Sequence, residues 1–180
     1  THVGENRVQE AKEKQMLYKG PKLVWHLIGH LQVNKVRQAV PMFDLIHSVD
    51  SKKLLDEIEK VAAKHDKVQD ILLQVNVARE ASKSGMSVEE FPEVRDYAKT
   101  LPHVRVRGLM CMAPFFENPE EARPIFRVAY VLYEDMKGYF PEGDIQYLSM
   151  GMTHDFEVAL QEGANIVRVG TAIFGERVYN

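Results

Sequence analysis

Apolar residues fall into six short runs separated by amphipathic stretches. The runs are 23–28, 44–48, 71–77, 104–112, 145–149 and 165–169. They are rich in Val, Ile and Leu, as strands buried on both faces are. Between them lie helical patterns. In 51–65 the apolar positions Leu54, Leu55, Ile58, Val61 and Ala62 share one helical face. In 120–137 the positions Ala122, Ile125, Phe126, Ala129, Leu132 and Met136 do the same. The segment 5–19 opens with Asn6 and has Gln9 three residues on, a capping-box start for a helix. Segments 88–100 and 155–162 are further helices. There is no internal repeat, low-complexity segment or long linker. Strand alternating with helix predicts a parallel α/β fold. Residues 1–4 read as the tail of a seventh strand, because a helix follows at once. A (β/α)₈ TIM barrel needs eight strands, so the pattern predicts such a barrel with the first βα unit missing, as one domain over 1–180. An open seven-stranded sheet is the alternative, but no G-x-G-x-x-G follows any strand.

Composition narrows the function. Lys and Arg number 23 against 26 Asp and Glu, a net charge of -3, so the basic footprint of a nucleic-acid binder is missing. No apolar run is long enough to span a bilayer, which argues against a membrane protein. The single Cys111 cannot close an internal disulfide, so a reducing, cytoplasmic compartment is expected. Residues 1–5 carry neither a signal-peptide pattern nor an initiator Met, as if the sequence starts partway through a longer one.

In a barrel the chemistry sits at the C-terminal ends of the strands, and phosphates often bind at the loops after the last two. Those loops here are Ser149-Met150-Gly151-Met152-Thr153 and Gly170-Thr171-Ala172. Glycine lets backbone N–H groups approach an anion, and hydroxyls add donors. Ser149, Gly170 and Thr171 are therefore read as a phosphate cradle, with ordinary turn chemistry as the alternative. Alternation places Ile166, Arg168 and Gly170 on one strand face. A guanidinium inside a barrel needs an acceptor, either a structural carboxylate or a ligand anion or ring nitrogen. His26 and His30 form H-x-x-x-H, but on a strand they lie about 13 Å apart, and no Glu follows His26. A metal site is rejected. His30, at the strand's end, is the ligand-facing candidate and His26 a hydrogen-bonded core residue. Lys83, after the third run, is an accessory candidate that could bind an anion or form a Schiff base, or be a solvated loop lysine. Met86, Met110, Met112, Met150 and Met152 read as core or site-lining filler.

Seven stretches together resemble one family. They are Gly4-Glu5-Asn6-Arg7-Val8-Gln9-Glu10, Trp25-His26-Leu27-Ile28-Gly29-His30-Leu31-Gln32 with Asn34-Lys35, Ser82-Lys83-Ser84-Gly85, Gly108-Leu109-Met110, Leu148-Ser149-Met150-Gly151-Met152, Asp155-Phe156-Glu157, and Val167-Arg168-Val169-Gly170-Thr171-Ala172-Ile173-Phe174-Gly175. In this order they resemble the pyridoxal phosphate homeostasis proteins, the YggS or PROSC-like group, whose fold is similar to the N-terminal barrel of alanine racemase. The resemblance implies bound pyridoxal 5′-phosphate (PLP). Ser149, Gly170 and Thr171 would hold its phosphate and Arg168 would meet the pyridine nitrogen. Asn6 and His30 would lie beside the ring, with Met150 and Gly151 shaping the wall. The family's Schiff-base lysine lies on the first barrel strand, upstream of Gly4-Glu5-Asn6-Arg7, and so precedes Thr1. An arginine at the ring nitrogen disfavours ring protonation and blunts the electron sink. Alanine racemase also needs a second domain to supply a tyrosine base. The resemblance thus implies a carrier of intracellular vitamin B6 cofactor (binding, buffering and delivering it to PLP-dependent apoenzymes) without catalytic turnover. A racemase-like or Schiff-base enzyme is the alternative.

Overall fold

The computed structural model describes residues 2–80 and 84–175. Seven strands form one sheet: β1 (His2–Glu5), β2 (Val24–Leu27), β3 (Leu45–Val49), β4 (Gln69–Val75), β5 (Val104–Cys111), β6 (Tyr147–Met152) and β7 (Ile166–Arg168). They pair in chain order from β1 to β7, and every pair is parallel. A doubly wound sheet reverses its strand order at a switch point, and this sheet does not. It also curls. In a flat sheet β3 and β6 would be roughly 14 Å apart, three spacings of about 4.8 Å. Instead the His47 Nδ1 of β3 lies 2.9 Å from the Ser149 Oγ of β6. The architecture is a (β/α)₈ barrel lacking one unit in the described residues, open between β7 and β1.

The helices are α1 (Val8–Leu17), α2 (Val36–Met42), α3 (Lys52–Lys64), α4 (Phe91–Ala98), α5 (Arg123–Met136), α6 (Phe156–Gln161) and α7 (Thr171–Phe174). Ser51 caps α3, its Oγ accepting from Leu54 N at 3.4 Å. Two expectations need correction. The capping box at Asn6 does not form: Glu5 ends β1, Arg7 is the N-cap of α1 without a side-chain cap, and Gln9 Nε2 donates instead to Glu13. The strand expected over 145–149 runs over Tyr147–Met152, with Ile145 buried ahead of it.

The two faces of the sheet differ. Outward-facing Leu27, Ile46, Leu73, Leu109 and Leu148 pack against Leu55, Ile58, Phe91 and Phe126 of the helices in one large core. Inside the barrel the apolar cluster is small, Leu45, Leu72 and Met110 with Met112, Tyr147 and Ile166 around it. The rest of the interior is polar: His26, His47, Gln74, Ser149 and Arg168 are all buried.

Candidate functional site

All seven strands are parallel, so their C-terminal ends and following loops share one end of the barrel. Near the end of β6, ahead of the turn into α6, the chain bends at Gly151, whose φ of 92° suits glycine. A Cβ there would also stand 2.6 Å from the Ala159 Cβ. The turn is closed by Asp155 Oδ1, which accepts from Met152 N at 2.7 Å. After β7 the chain passes through Gly170 into α7, and Gly170 N donates to Thr153 Oγ1 at 3.2 Å. That bond joins the two last loops. Unlike Gly151, Gly170 has a negative φ, and a Cβ built on it meets nothing within 4 Å. Neither backbone strain nor a neighbour among the described residues calls for glycine there, which leaves its side open. The N–H groups of Thr171 and Ala172 open the first turn of α7, where a helix has no internal partner for them.

Arg168 is 9 % exposed. Its Nη1 donates to Ser149 Oγ at 2.6 Å and its Nη2 to the Cys111 carbonyl at 3.0 Å. Among the described residues no carboxylate pairs with it, which disposes of a structural ion pair as its reason for being inside. Burial lowers its pKa to about 10, opposed by Cys111 and Asp155. It therefore keeps its charge at neutral pH. Such a charge is costly to bury without an anion or a further acceptor.

Ser149 continues into a row of imidazoles. His47 Nδ1 lies 2.9 Å from Ser149 Oγ, His47 Nε2 lies 2.8 Å from His26 Nδ1, and His26 Nε2 lies 2.9 Å from His2 Nδ1. Burial is the main cause that holds both inner rings neutral. It lowers His26 from 6.5 to about 4, helped by His2 and opposed by Asp44. It lowers His47 well below the usual range, helped by His26 and Arg168. His26 is thus a hydrogen-bonded core residue, as expected.

On the other side of the opening, the loops after β1 and β2 press together. A Cβ on Gly29 would stand 2.2 Å from the Asn6 carbonyl oxygen, so glycine is what lets Asn6 and His30 share the rim. Both side chains are exposed. His30 Nδ1 lies 3.3 Å from Ser84 Oγ. The loop carrying Ser84 is pinned by Gln74 Nε2 to the Ser84 carbonyl and by Gly85 N to Asp50 Oδ2. Lys83 lies outside the described residues. Among the described residues no cluster of His, Cys, Asp and Glu could hold a metal.

The structure brings Asn6, His30, Arg168, Gly170 and Thr171 to one end of the barrel, and rearranges the rest. Ser149 does not join Gly170 and Thr171. It is fully buried, four residues before Thr153, with its hydroxyl engaged by Arg168 and His47. Thr153 occupies the place expected of it. Met150 does not line the opening either. It points outward into the core shared with Val158 and Ala159, because alternation sends it opposite to Ser149. Gly151 shapes the turn from a buried position, and Met152, about half exposed, is the methionine at the rim. The sequence signal for Thr153 was its place at the end of the same loop. His47 gave no local signal, being one His in an apolar run.

Known proteins share this framework. Residues 1–178 match the family described as alanine racemase, N-terminal domain. A pyridoxal phosphate homeostasis protein of Aquifex aeolicus is 49% identical over 176 residues, covering 98% of this chain and 77% of the relative. That of Escherichia coli K12 is 35% identical over 181 residues, covering 98% and 76%. PipY of Synechococcus elongatus PCC7942, solved with PLP bound, superposes with a TM-score of 0.81 at 37% identity, covering 96% of this chain and 80% of that one. An alanine racemase from Corynebacterium glutamicum, at 15% identity and a TM-score of 0.66 over 98% of this chain and 47% of its own, shares the fold. With matches of this extent and identity, the chain belongs to the family of pyridoxal phosphate homeostasis proteins, built on the barrel of the alanine racemase N-terminal domain.

Proposed function

We propose that this chain binds pyridoxal 5′-phosphate at the open end of its barrel and holds it for delivery to apoenzymes, without turning over a substrate. The observation that carries the reading is the pairing of a buried Arg168, which no carboxylate among the described residues bridges, with the open side of Gly170 beside Thr153 and Thr171. A phosphorylated heteroaromatic ligand meets both needs at once. Its phosphate takes the hydroxyls and backbone N–H groups of the last two loops. Its ring nitrogen takes a donor from Arg168, while Asn6 and His30 border the ring from the opposite rim. Ser149 serves this site by holding Arg168 rather than by touching phosphate. Met150 and Gly151 support the rim from behind, and Lys83, next in sequence to Ser84, is the accessory candidate for an anion or a Schiff base.

When bound, the cofactor supplies a reactive aldehyde and a conjugated ring. Arg168 stays protonated at neutral pH, so it offers the ring nitrogen a hydrogen bond without surrendering a proton. A ring held in that state is a weaker electron sink, which suits storage better than turnover. The relatives' name, pyridoxal phosphate homeostasis protein, supports the same reading. The cytoplasm is the proposed compartment, where a free thiol such as Cys111 is at home.

The test is to titrate the protein with PLP by absorbance and calorimetry, then assay amino-acid racemisation with the loaded protein. Saturable one-to-one binding with no racemisation is expected. Failure to bind would overturn the site, and steady racemisation would move the protein to the enzymes.

A further inference from the structure

Three imidazoles and a hydroxyl lie in a row beneath the site, with a single arginine at one end. An arginine has only donors. Ser149 Oγ must therefore accept from Arg168 Nη1, and its own single hydrogen must go elsewhere. Among the described residues its one other partner is His47 Nδ1. That nitrogen must then be bare. A neutral imidazole carries one N–H, so the proton of His47 sits on Nε2 and is donated to His26 Nδ1. The same step repeats at His26, whose Nε2 proton is donated to His2 Nδ1. The opposite assignment would put a proton on His47 Nδ1 and leave the hydrogen of the fully buried serine without an acceptor among the described residues. The charged and titratable groups around the row are few: His2 and Asp44 act on His26, and His26 and Arg168 act on His47.

We propose that His47 and His26 are positioning residues for Arg168, acting through the Ser149 hydroxyl in a one-way hydrogen-bond chain in which each inner imidazole carries its proton on Nε2. Arg168 is thereby held at two points, by Ser149 on β6 and by the Cys111 carbonyl on β5. The serine lone pair offered to it is set by residues on β2 and β3. The histidines govern how the guanidinium meets a ligand ring that they do not touch.

The chain's direction depends on the protein alone. Its consequence for a ligand rests on the proposed binding of PLP. Two measurements keep these apart. Long-range ¹H–¹⁵N correlation of the histidine rings, on the ligand-free protein at neutral pH, should show His26 and His47 as neutral Nε2–H tautomers. Either ring protonated on Nδ1, charged, or averaging between tautomers overturns the chain, whatever PLP does. The second measurement compares PLP with inorganic phosphate, which needs only the last two loops. His47→Phe should weaken PLP roughly tenfold, the loss of the one hydrogen bond that orients the Ser149 hydroxyl, and leave inorganic phosphate binding as in the wild type. Equal weakening of both would show a merely structural role and overturn the positioning claim, as would no weakening of either. If His47→Phe does not fold, Ser149→Ala with Ser149→Thr as its rescue carries the same comparison. Wild-type protein that binds no PLP while showing the stated tautomers would sink the proposed function and leave the directed chain standing.

Discussion

The outer and inner faces of the same sheet solve different problems. The outer face is closed by fully buried leucines and isoleucines from β2 to β6, sealed against helices. Each contact there is non-directional, and a neighbour can partly relax into a gap. The inner face carries buried histidines, a serine and an arginine, each satisfied by the next. Directional bonds in a row do not relax in that way, because removing one member strips its neighbours of partners. Stability is therefore concentrated outside the barrel and ligand chemistry inside it. The two faces should respond differently to substitution.

The largest expected effect on folding is outside. Phe126→Ala, at a fully buried position near the start of α5, should cost about 3–5 kcal/mol of stability, seen as an earlier denaturation midpoint. Cofactor affinity of the remaining folded protein should be unchanged. A marked loss of affinity would blur the division between the faces. Inside, Arg168→Met should act in the opposite sense. It removes a buried charge that has no carboxylate partner among the described residues, so stability should change by less than in Phe126→Ala, while PLP affinity falls by about 1.5–3 kcal/mol. Calorimetric titration beside thermal melts decides between these outcomes.

Acid should find the inner face first. His26 is neutral when folded because its pKa is lowered from 6.5 to about 4. The unfolded chain binds the extra proton between those values, so stability is complete above pH 6.5 and is lost as pH falls towards 4. The loss from this group is on the order of 2 kcal/mol, allowing for solvent screening. His26→Gln should flatten this stretch of the stability profile, and an unchanged slope would remove His26 from the account. The smallest effect belongs to the rim. Thr153→Ala should weaken PLP by about 1 kcal/mol, one hydroxyl contact, with little change in melting. Parity between Thr153→Ala and wild type would return the phosphate role to Ser149.

Much of this was legible locally. The outward leucines of β4 and β5 and the apolar face of α3 follow from periodicity, since burial against a layer leaves a repeat of two or 3.6. Arg168 and Gly170 share a face by alternation, and their loop lies at the C-terminal end of the strands, where barrel chemistry is expected. The helix α2 has only a faint local signature: Val36, Ala39, Val40 and Phe43 have the spacing of a helical face, all buried, in a stretch too short to stand out and with Pro41 in its last turn. The capping box at Asn6 failed for a tertiary reason. The backbone of Asn6 is committed to its contact with Gly29, and the helix starts one residue after the N-cap Arg7.

The sequence by itself determined the order of strands and helices, the apolar outer face and the position of the two glycine-bearing loops, because each is written in neighbours a few residues apart. Only the tertiary structure decided which hydroxyl of Ser149-Met150-Gly151-Met152-Thr153 reaches the Gly170 loop. The register of β6 against β7 shifts between Ser149 and Met152, and Gly151 turns the chain there with a positive φ. Ser149 is left below the turn, facing His47 from 102 positions earlier in the chain, and Thr153 is carried above it to Gly170. Five consecutive residues cannot encode that choice, because it is set by where a curled sheet brings distant strands together.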